Sequence, residues 1–283
     1  MKLLSYSFGG ASSWGAVAGN QVVDLQAASG GRFPTLRAAL AALPLGEIEA
    51  LVTASAPRVP LDAIGFLPVI TDPGKILCVG LNYDAHRVEA NRDRTASPTL
   101  FARFADSQVG HGQPMLVPPE STQFDYEGEI AIVIGRRGRR IAEADAWSHI
   151  AGYAPYNDGS IRDWQAHTTQ WTAGKNFSGT GAFGPWMVTR GEIADGARME
   201  LVTRLNGREL QRGNTDQLIF PIPRLLAYIS SFTPLEPGDV IVTGTPSGVG
   251  FKRTPPVFMQ PGDRVEVEVS GLGTLVNPVA AER

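Results

Sequence analysis

The chain has 283 residues, a net charge of −3 at pH 7 and a hydrophobic fraction of 43%, which is typical of a globular protein with one large domain or a large and a small one. The weak negative charge gives no indication of a nucleic-acid partner, and no apolar stretch of the sequence is long enough for a membrane span. The 32 glycines and 21 prolines favour a turn-rich β protein over a helical bundle.

The first part of the chain predicts a small α/β domain. Residues 3–8 and 21–25 are typical of strands separated by glycine turns, and residues 35–45 have the apolar spacing of a short helix. A proline-rich stretch follows, so we predict a boundary that divides a domain of residues 1–71 from a larger one of residues 72–283. The N-terminus lacks the apolar core of a signal peptide, and we expect a cytoplasmic protein.

A polar segment after a buried strand at residues 76–79 carries a possible general base. His86 and Glu89 are three residues apart, so on a helix they share one face. A carboxylate beside an imidazole raises its basicity and fixes its orientation. An incidental pair on a surface helix is the alternative interpretation. Because residues 82–95 would cover little core, we expect them to form a lid that is mobile when the site is empty.

Residues 124–134 predict one strand with two carboxylates near its start. Alternation along a strand puts Glu127 and Glu129 on one face, and the apolar residues that follow indicate burial on both faces. Two like charges so close repel each other unless a cation or a shared proton lies between them. Asp158, at the end of the next predicted strand, would supply a third carboxylate for a hard divalent cation. A polar strand end, with Asp158 as a turn residue or helix N-cap, is the alternative.

Three further residues are candidates for binding an anionic ligand. Arg162 lies one helical turn after Asp158 and could pair with it or with an acid. Lys175 is the only charge in a glycine-rich loop at residues 174–186, where it is either held near a site or exposed. Thr245 follows a predicted strand in a glycine-rich turn whose N–H groups could face an anion, although no P-loop lysine follows.

Several motifs together resemble the fumarylacetoacetate hydrolase family, and the likeness covers roughly residues 72–278 in the family's order. The motifs are Asn82-Tyr83 with His86 and Glu89, Asp125-Tyr126-Glu127-Gly128-Glu129, Asn157-Asp158 with Arg162-Asp163, Gly174-Lys175-Asn176-Phe177, Gly184-Pro185-Trp186, and Thr243-Gly244-Thr245-Pro246-Ser247-Gly248-Val249-Gly250. Each motif alone is weakly specific, but the ordered set is strongly specific.

The resemblance implies an α+β, mostly β fold: a mixed β-sandwich roll with a small N-terminal domain, usually in a homodimer. It implies a Mg²⁺ or Mn²⁺ ion held by Glu127, Glu129 and Asp158. The catalytic residues that it implies are His86 and Glu89 as the water-activating dyad and Lys175 as the oxyanion stabiliser. The substrate-binding residues that it implies are Tyr83, Arg103, Tyr153, Arg162, Gln165 and Thr245.

The chain departs from the family pattern at two places. Many members have a lysine at the position of Arg103, and many have a Thr-Ala or Ser-Ala pair where this chain has Ser160-Ile161. Neither departure touches the predicted metal ligands, but both could alter the shape of the substrate site.

The predicted function is metal-dependent hydrolysis of a C–C bond in an acylpyruvate-type 2,4-dioxo acid, such as fumarylpyruvate, maleylpyruvate or a fumarylacetoacetate-like compound, in aromatic catabolism. An isomerase, hydratase or decarboxylase of 2-hydroxy or 2-oxo dienedioic acids would use the same metal site, and residues 164–171 are similar to those of dienedioate isomerases. A non-catalytic β-rich binding module is the alternative of another class, and the His86–Glu89 pair argues against it. A small dicarbonyl acid is the expected ligand.

Overall fold

The computed structural model describes residues 1–282 and shows a mixed α+β architecture with more strand than helix. No helix in this range is both long and apolar enough to cross a membrane. In chain order, the first elements are β1 (Lys2–Phe8), β2 (Ala11–Ala18), β3 (Gln21–Asp24), α1 (Leu25–Ala28), α2 (Leu36–Ala42), α3 (Leu45–Ala50), β4 (Arg58–Pro60) and β5 (Gly65–Phe66).

The elements that follow alternate strands of two to nine residues with helices, of which all but the last are brief. They begin with β6 (Ile76–Gly80), α4 (Asp84–Glu89), β7 (Thr99–Arg103), β8 (Gln108–Val109), β9 (Met115–Val117), β10 (Phe124–Asp125), β11 (Gly128–Ile134), β12 (Ile150–Asn157), β13 (Ser160–Ile161) and α5 (Arg162–Gln165). The chain continues with α6 (Thr172–Lys175), β14 (Gly181–Phe183), β15 (Met187–Thr189), β16 (Glu200–Leu205), β17 (Arg208–Asn214), α7 (Ile222–Phe232), β18 (Val240–Val242), β19 (Arg264–Val269) and β20 (Gly273–Ala281).

The strands form one large sheet, one five-stranded sheet and a small ribbon. The large sheet runs in the order β4-β3-β2-β1-β15-β12-β11-β18-β6-β7, and the second sheet in the order β17-β16-β19-β20-β9. The N-terminal strands therefore extend the large sheet, because β1 pairs antiparallel with β15. The division into two domains near residue 72 stays a prediction.

The strand β11 lies at the centre of the molecule and is buried along its whole length. Its isoleucines face a core that includes strands of the second sheet and α7, whereas Ala131 and Val133 face the N-terminal helices. Both faces of β11 therefore pack against apolar residues, as its sequence predicts. The predicted helix at residues 35–45 is observed as α2, whose Thr35 N-cap accepts a hydrogen bond from the Ala38 N–H at 3.1 Å.

The predicted strand at residues 124–134 is broken in the structure between β10 and β11. The Glu127 N–H donates to Asn157 Oδ1 at 3.0 Å, so a side-chain amide replaces a neighbouring strand as its partner. Gly128 lies opposite Asn157, which brings the start of β11 beside the end of β12. Since β18 pairs in parallel with β6, the loops after these two strands also leave the sheet at this edge. The candidate site lies where these chain segments meet.

Candidate active site

Three buried carboxylates form the centre of the site. One carboxylate oxygen from each of Glu127, Glu129 and Asp158 lies within 4.8 Å of the others. Glu127 precedes β11, Glu129 lies in β11, and Asp158 follows β12, so the antiparallel pairing of the two strands brings them together. The structure thus groups the three residues that were predicted to bind a metal.

Three cations contact two of these carboxylates. Lys175 Nζ lies 2.7 Å from Glu127 Oε2 and 2.6 Å from Asp158 Oδ2. Arg162 Nη2 is 2.6 Å from Glu127 Oε1, and Arg103 Nη1 is 2.6 Å from Asp158 Oδ1. These side chains are all buried. Glu127 and Asp158 are therefore each held by two cations.

Glu129 differs because it has no cation within salt-bridge distance among residues 1–282. Its Oε2 accepts one hydrogen bond, from the Gly244 N–H at 2.6 Å. Burial and repulsion from Asp158 and Glu127 raise the pKa of Glu129 well above its usual value. Burial also acts to raise the pKa of Glu127, but attraction by Arg162 and Lys175 lowers that pKa well below its usual range.

This set of donors fits a hard divalent cation. Mg²⁺ and Mn²⁺ prefer oxygen ligands, and the three carboxylates present oxygens within 4.8 Å of one another in a buried environment. A divalent charge would also offset the repulsion at Glu129, which Lys175 offsets only in part.

Lys175 places a positively charged ammonium group in this site. Burial acts to lower its pKa, but the carboxylates of Asp158 and Glu127 outweigh burial and raise the pKa above its usual value. The ammonium also lies 4.9 Å from the centre of the Phe101 ring, whose face attracts cations. Lys175 is therefore suited to stabilise negative charge and unsuited to act as a base.

His86 and Glu89 form a fixed pair on α4. His86 Nδ1 lies 3.2 Å from Glu89 Oε2, as the three-residue spacing predicts. The Gly248 N–H donates to both oxygens of Glu89, at 3.0 and 3.2 Å. His86 Nε2 makes no hydrogen bond within the described range, and the ring lines the same cavity as Glu127 and Glu129. The pair thus presents one oriented imidazole nitrogen to a ligand. The mobility of residues 82–95 in an empty site stays a prediction.

A cavity of about 380 Å³ lies in front of the carboxylates. Its apolar walls include Val79, Leu81, Phe101, Trp171 and Phe251. Three predicted substrate-binding residues, Arg162, Gln165 and Thr245, also line it. The Thr245 hydroxyl already donates to the Gly128 carbonyl at 2.8 Å and accepts from Gln211, so it braces the start of β11.

The other three predicted substrate-binding residues do not line the cavity. Arg103 lies behind Asp158 and also donates to the Gly159 carbonyl at 2.8 Å, so it positions the carboxylate from the protein side. Tyr83 is buried near Glu129, and burial together with that carboxylate raises its pKa. Tyr153 precedes Asn157 by four residues in β12, so it lies about 13 Å along the strand from the site.

Sequence reasoning missed Asp125, Arg92 and Lys252. Asp125 Oδ2 accepts from Arg162 Nε at 2.8 Å, and Asp125 Oδ1 accepts from the Gly250 N–H at 2.8 Å, so Asp125 connects Arg162, the partner of Glu127, to the glycine-rich turn at residues 244–250. Its place in the motif beside Glu127 was an available signal. Arg92 and Lys252 line the cavity, but neither carries a sequence pattern that marks it.

Known proteins that are similar to this chain include both curated sequences and solved structures. The curated human protein "Oxaloacetate tautomerase FAHD2A, mitochondrial" is 41% identical over 230 residues, which cover 81% of this chain and 73% of that protein. The structure of a fumarylacetoacetate hydrolase from Exiguobacterium antarcticum superposes with a TM-score of 0.86 at 32% identity, and both chains are covered completely. The maleylpyruvate hydrolase of Sphingobium sp. SYK-6, solved with manganese(II) ion and pyruvate, has a TM-score of 0.83 at 26% identity, also over both whole chains.

The sequence itself carries the family pattern over most of its length. The family model described as fumarylacetoacetate (FAA) hydrolase C-terminal matches residues 75–280. These residues include all the carboxylates and cations of the site. The chain therefore belongs to the fumarylacetoacetate hydrolase family and has its α+β fold.

Proposed function

We propose that the protein is a divalent-metal-dependent tautomerase of oxaloacetate or a closely related 2-oxo diacid. One observation carries the proposal: His86, which Glu89 orients, and the buried Lys175 line the same cavity as Glu127 and Glu129 of the three-carboxylate cluster. The 41% identity to the human oxaloacetate tautomerase supports this choice among the reactions of the family.

The three carboxylates would hold the cation through Glu127, Glu129 and Asp158. When bound there, a divalent cation supplies Lewis-acid polarisation of a 2-oxo group and neutralises charge on the adjacent carboxylate.

The protein's own residues supply the proton transfer. His86 takes the proton from the carbon beside the 2-oxo group, the C–H electron pair forms the C=C bond, and the carbonyl pair moves to oxygen. Glu89 accepts the hydrogen bond of His86 Nδ1–H and stabilises the imidazolium. Lys175 stabilises the negative charge that develops on the enolate oxygen. The enolate oxygen then takes the proton back from the His86 imidazolium to give the enol and the free imidazole, and the reverse sequence returns the keto acid.

The test follows the keto–enol interconversion of oxaloacetate by ultraviolet absorbance, with Mg²⁺ or Mn²⁺ and with a chelator. We expect a chelator-sensitive acceleration above the rate with the metal ion alone. His86→Gln should lower the rate by roughly 10²–10⁴-fold, the usual contribution of a general base. His167→Gln is the matched control, because His167 is exposed and does not line the cavity. Wild-type rates in His86→Gln would contradict the proposal.

Hydrolysis of an acylpyruvate is the second candidate function. The cavity has room for a substrate longer than a four-carbon acid, and the similar Sphingobium hydrolase was solved with pyruvate. In this reaction His86 takes a proton from water, and the hydroxide adds to the distal carbonyl. The C–C bond between the carbonyls then breaks, and its electron pair leaves with pyruvate as an enolate, which Lys175 stabilises.

Product analysis separates the two candidates. Hydrolysis of fumarylpyruvate or maleylpyruvate releases pyruvate, whereas tautomerisation and the isomerisation of dienedioic acids conserve mass. Chelator-sensitive pyruvate release, with no acceleration of oxaloacetate interconversion, would favour the hydrolase over the tautomerase.

A further inference from the structure

Two cations line the cavity without an acidic partner. Arg92 lies in the loop after α4, and Lys252 lies directly after the glycine-rich turn at residues 244–250. No carboxylate of residues 1–282 lies within 4.0 Å of either charged group. The deeper cations differ, since Arg162 and Lys175 are each paired with Glu127. Uncompensated positive charge is therefore concentrated at the exposed end of the cavity.

Local contacts hold the backbone of Arg92 and the side chain of Lys252 at the cavity wall. Arg87 Nη1 donates to the Arg92 carbonyl at 2.6 Å, and the Arg92 N–H donates to the Arg87 carbonyl at 3.1 Å. Lys252 Nζ lies 5.0 Å from the centre of the Phe251 ring, and Arg162 packs on the same ring at 4.3 Å. The Phe251 ring thus connects the outer lysine to the arginine beside the carboxylate cluster.

One acidic group shares the cavity wall outside the cluster. Asp163 Oδ1 accepts from Ser121 Oγ at 2.7 Å and from the Trp164 N–H at 3.0 Å. Its charge is thus engaged by neutral donors, and it forms no salt bridge with the two outer cations. An anionic ligand group between Arg92 and Lys252 would gain attraction from both.

We propose that Arg92 and Lys252 form a subsite for the distal carboxylate of the substrate, so that the protein selects 2-oxo acids with two carboxylates over those with one. The inference rests on the proposed function, since it assigns the 2-oxo end of the acid to the carboxylate-lined end of the cavity. The two cations come from different chain segments that both line the cavity, one just after the helix of His86 and one four residues after Gly248, whose N–H contacts Glu89. A distal carboxylate held by both therefore also helps to hold the His86–Glu89 pair over the substrate.

The test compares two probes that differ only at the distal end. The full chain loaded with Mn²⁺ is titrated with 2-oxoglutarate and with 2-oxopentanoate, in which a methyl group replaces the carboxylate, and calorimetry gives both dissociation constants. We expect the wild-type protein to prefer the diacid. Arg92→Gln and Lys252→Gln should each weaken diacid binding by roughly 3–10-fold, the range for charged groups that water still reaches, and leave the monoacid unchanged.

Arg94→Gln is the matched control, because Arg94 is in the same loop, is exposed and does not line the cavity. Added salt should reduce the preference of the wild-type protein and leave the double variant nearly unaffected. Equal affinity of the wild-type protein for the two probes would overturn the subsite. So would no measurable diacid binding, an unchanged preference in both variants, or an equal loss for both probes.

Failure of the subsite and failure of the proposed function are distinguishable. If the variants keep their diacid preference while oxaloacetate is still interconverted, only the subsite is wrong. If the wild-type protein prefers the diacid and the variants lose that preference, but the wild-type protein does not interconvert oxaloacetate, the subsite is supported and the tautomerase assignment is wrong.

Discussion

Replacing Arg103 by methionine removes the cation that holds one oxygen of Asp158. Arg103 Nη1 lies 2.6 Å from Asp158 Oδ1, and neither side chain is exposed to solvent. Arg103 Nη2 also donates to Thr180 Oγ1 at 2.9 Å, and Nη1 to the Gly159 carbonyl. The substitution therefore leaves a buried carboxylate and two further acceptors without their donor.

The expected loss follows from these contacts. Breaking a buried ion pair by removing one partner costs about 3–5 kcal/mol. Lys175 still contacts the other oxygen of Asp158, which places the expected loss in the lower half of that range. We therefore expect the free energy of unfolding of the metal-free protein to fall by about 3–4 kcal/mol. Mn²⁺ should recover part of this loss, because it binds the folded state and neutralises Asp158.

The assay is urea unfolding in the presence of a chelator, followed by tryptophan fluorescence and circular dichroism with linear extrapolation. Arg103→Lys should cost less, about 1–2 kcal/mol, because it keeps the charge but loses the forked donors. Arg137→Met is the matched control: Arg137 also contacts a carboxylate, at 2.8 Å, but its side chain is 75% exposed, so we expect a loss below about 1 kcal/mol. Equal losses in Arg103→Met and Arg137→Met would refute the reasoning.

Three further predictions concern other parts of the molecule. Glu129→Gln removes a buried carboxylate that two neighbours repel, so it should raise the melting temperature of the chelated protein and weaken Mn²⁺ binding by roughly 100-fold or more in calorimetry. Gly248→Ala should lower kcat by roughly 100-fold. Gly248 has a φ of +102°, and a Cβ there would lie 2.1 Å from a carbonyl oxygen of β17. The backbone must then shift, which moves the N–H of residue 248 away from Glu89. Burial above all lowers the pKa of His111, so the unfolded state binds the proton first and stability should fall as the pH drops below about 6.5, the usual histidine value. His111→Gln should flatten that part of the stability curve.

Each of these predictions has a result that would contradict it. An unchanged Mn²⁺ affinity of Glu129→Gln would contradict the first prediction. For Gly248→Ala, the comparison is Gly196→Ala, which also has a positive φ, +74°, but has open space around its Cβ; equal kcat values in the two variants would exclude the steric explanation. If His111→Gln leaves the pH dependence of the free energy of unfolding unaltered, the prediction for His111 is wrong.

The acidic cluster was predictable because it depends on local periodicity. Alternation along a strand has a period of two, so Glu129 and the apolar residues after it take the predicted faces of β11. Asp158 was predictable from its place at the end of a strand, and the His86–Glu89 contact from helical spacing. These inferences need only a few consecutive residues.

Features that depend on distant segments were not predictable from local patterns. The break before β11 arises because the Asn157 side chain, 30 residues away, accepts the Glu127 N–H. The Thr245 hydroxyl is engaged by a carbonyl 117 residues earlier in the chain. Arg92 and Lys252 are exposed loop residues, and only the folded chain brings them to one opening. No periodicity marks such residues, because their partners are set by tertiary packing.

The buried charge network lies at strand ends, whereas the two outer cations lie in exposed loops, and this difference affects how the protein can change in evolution. The carboxylates and their cations belong to a buried charge network. Replacing any one of these residues leaves a buried charge without its partner and destabilises the fold, so selection acts against such substitutions. Arg92 and Lys252 are exposed, and their replacement disturbs no other charge of the network. If the proposed function and subsite hold, a lineage with this fold can acquire new acids as substrates by exchanging residues at the opening, while the buried charge network stays intact.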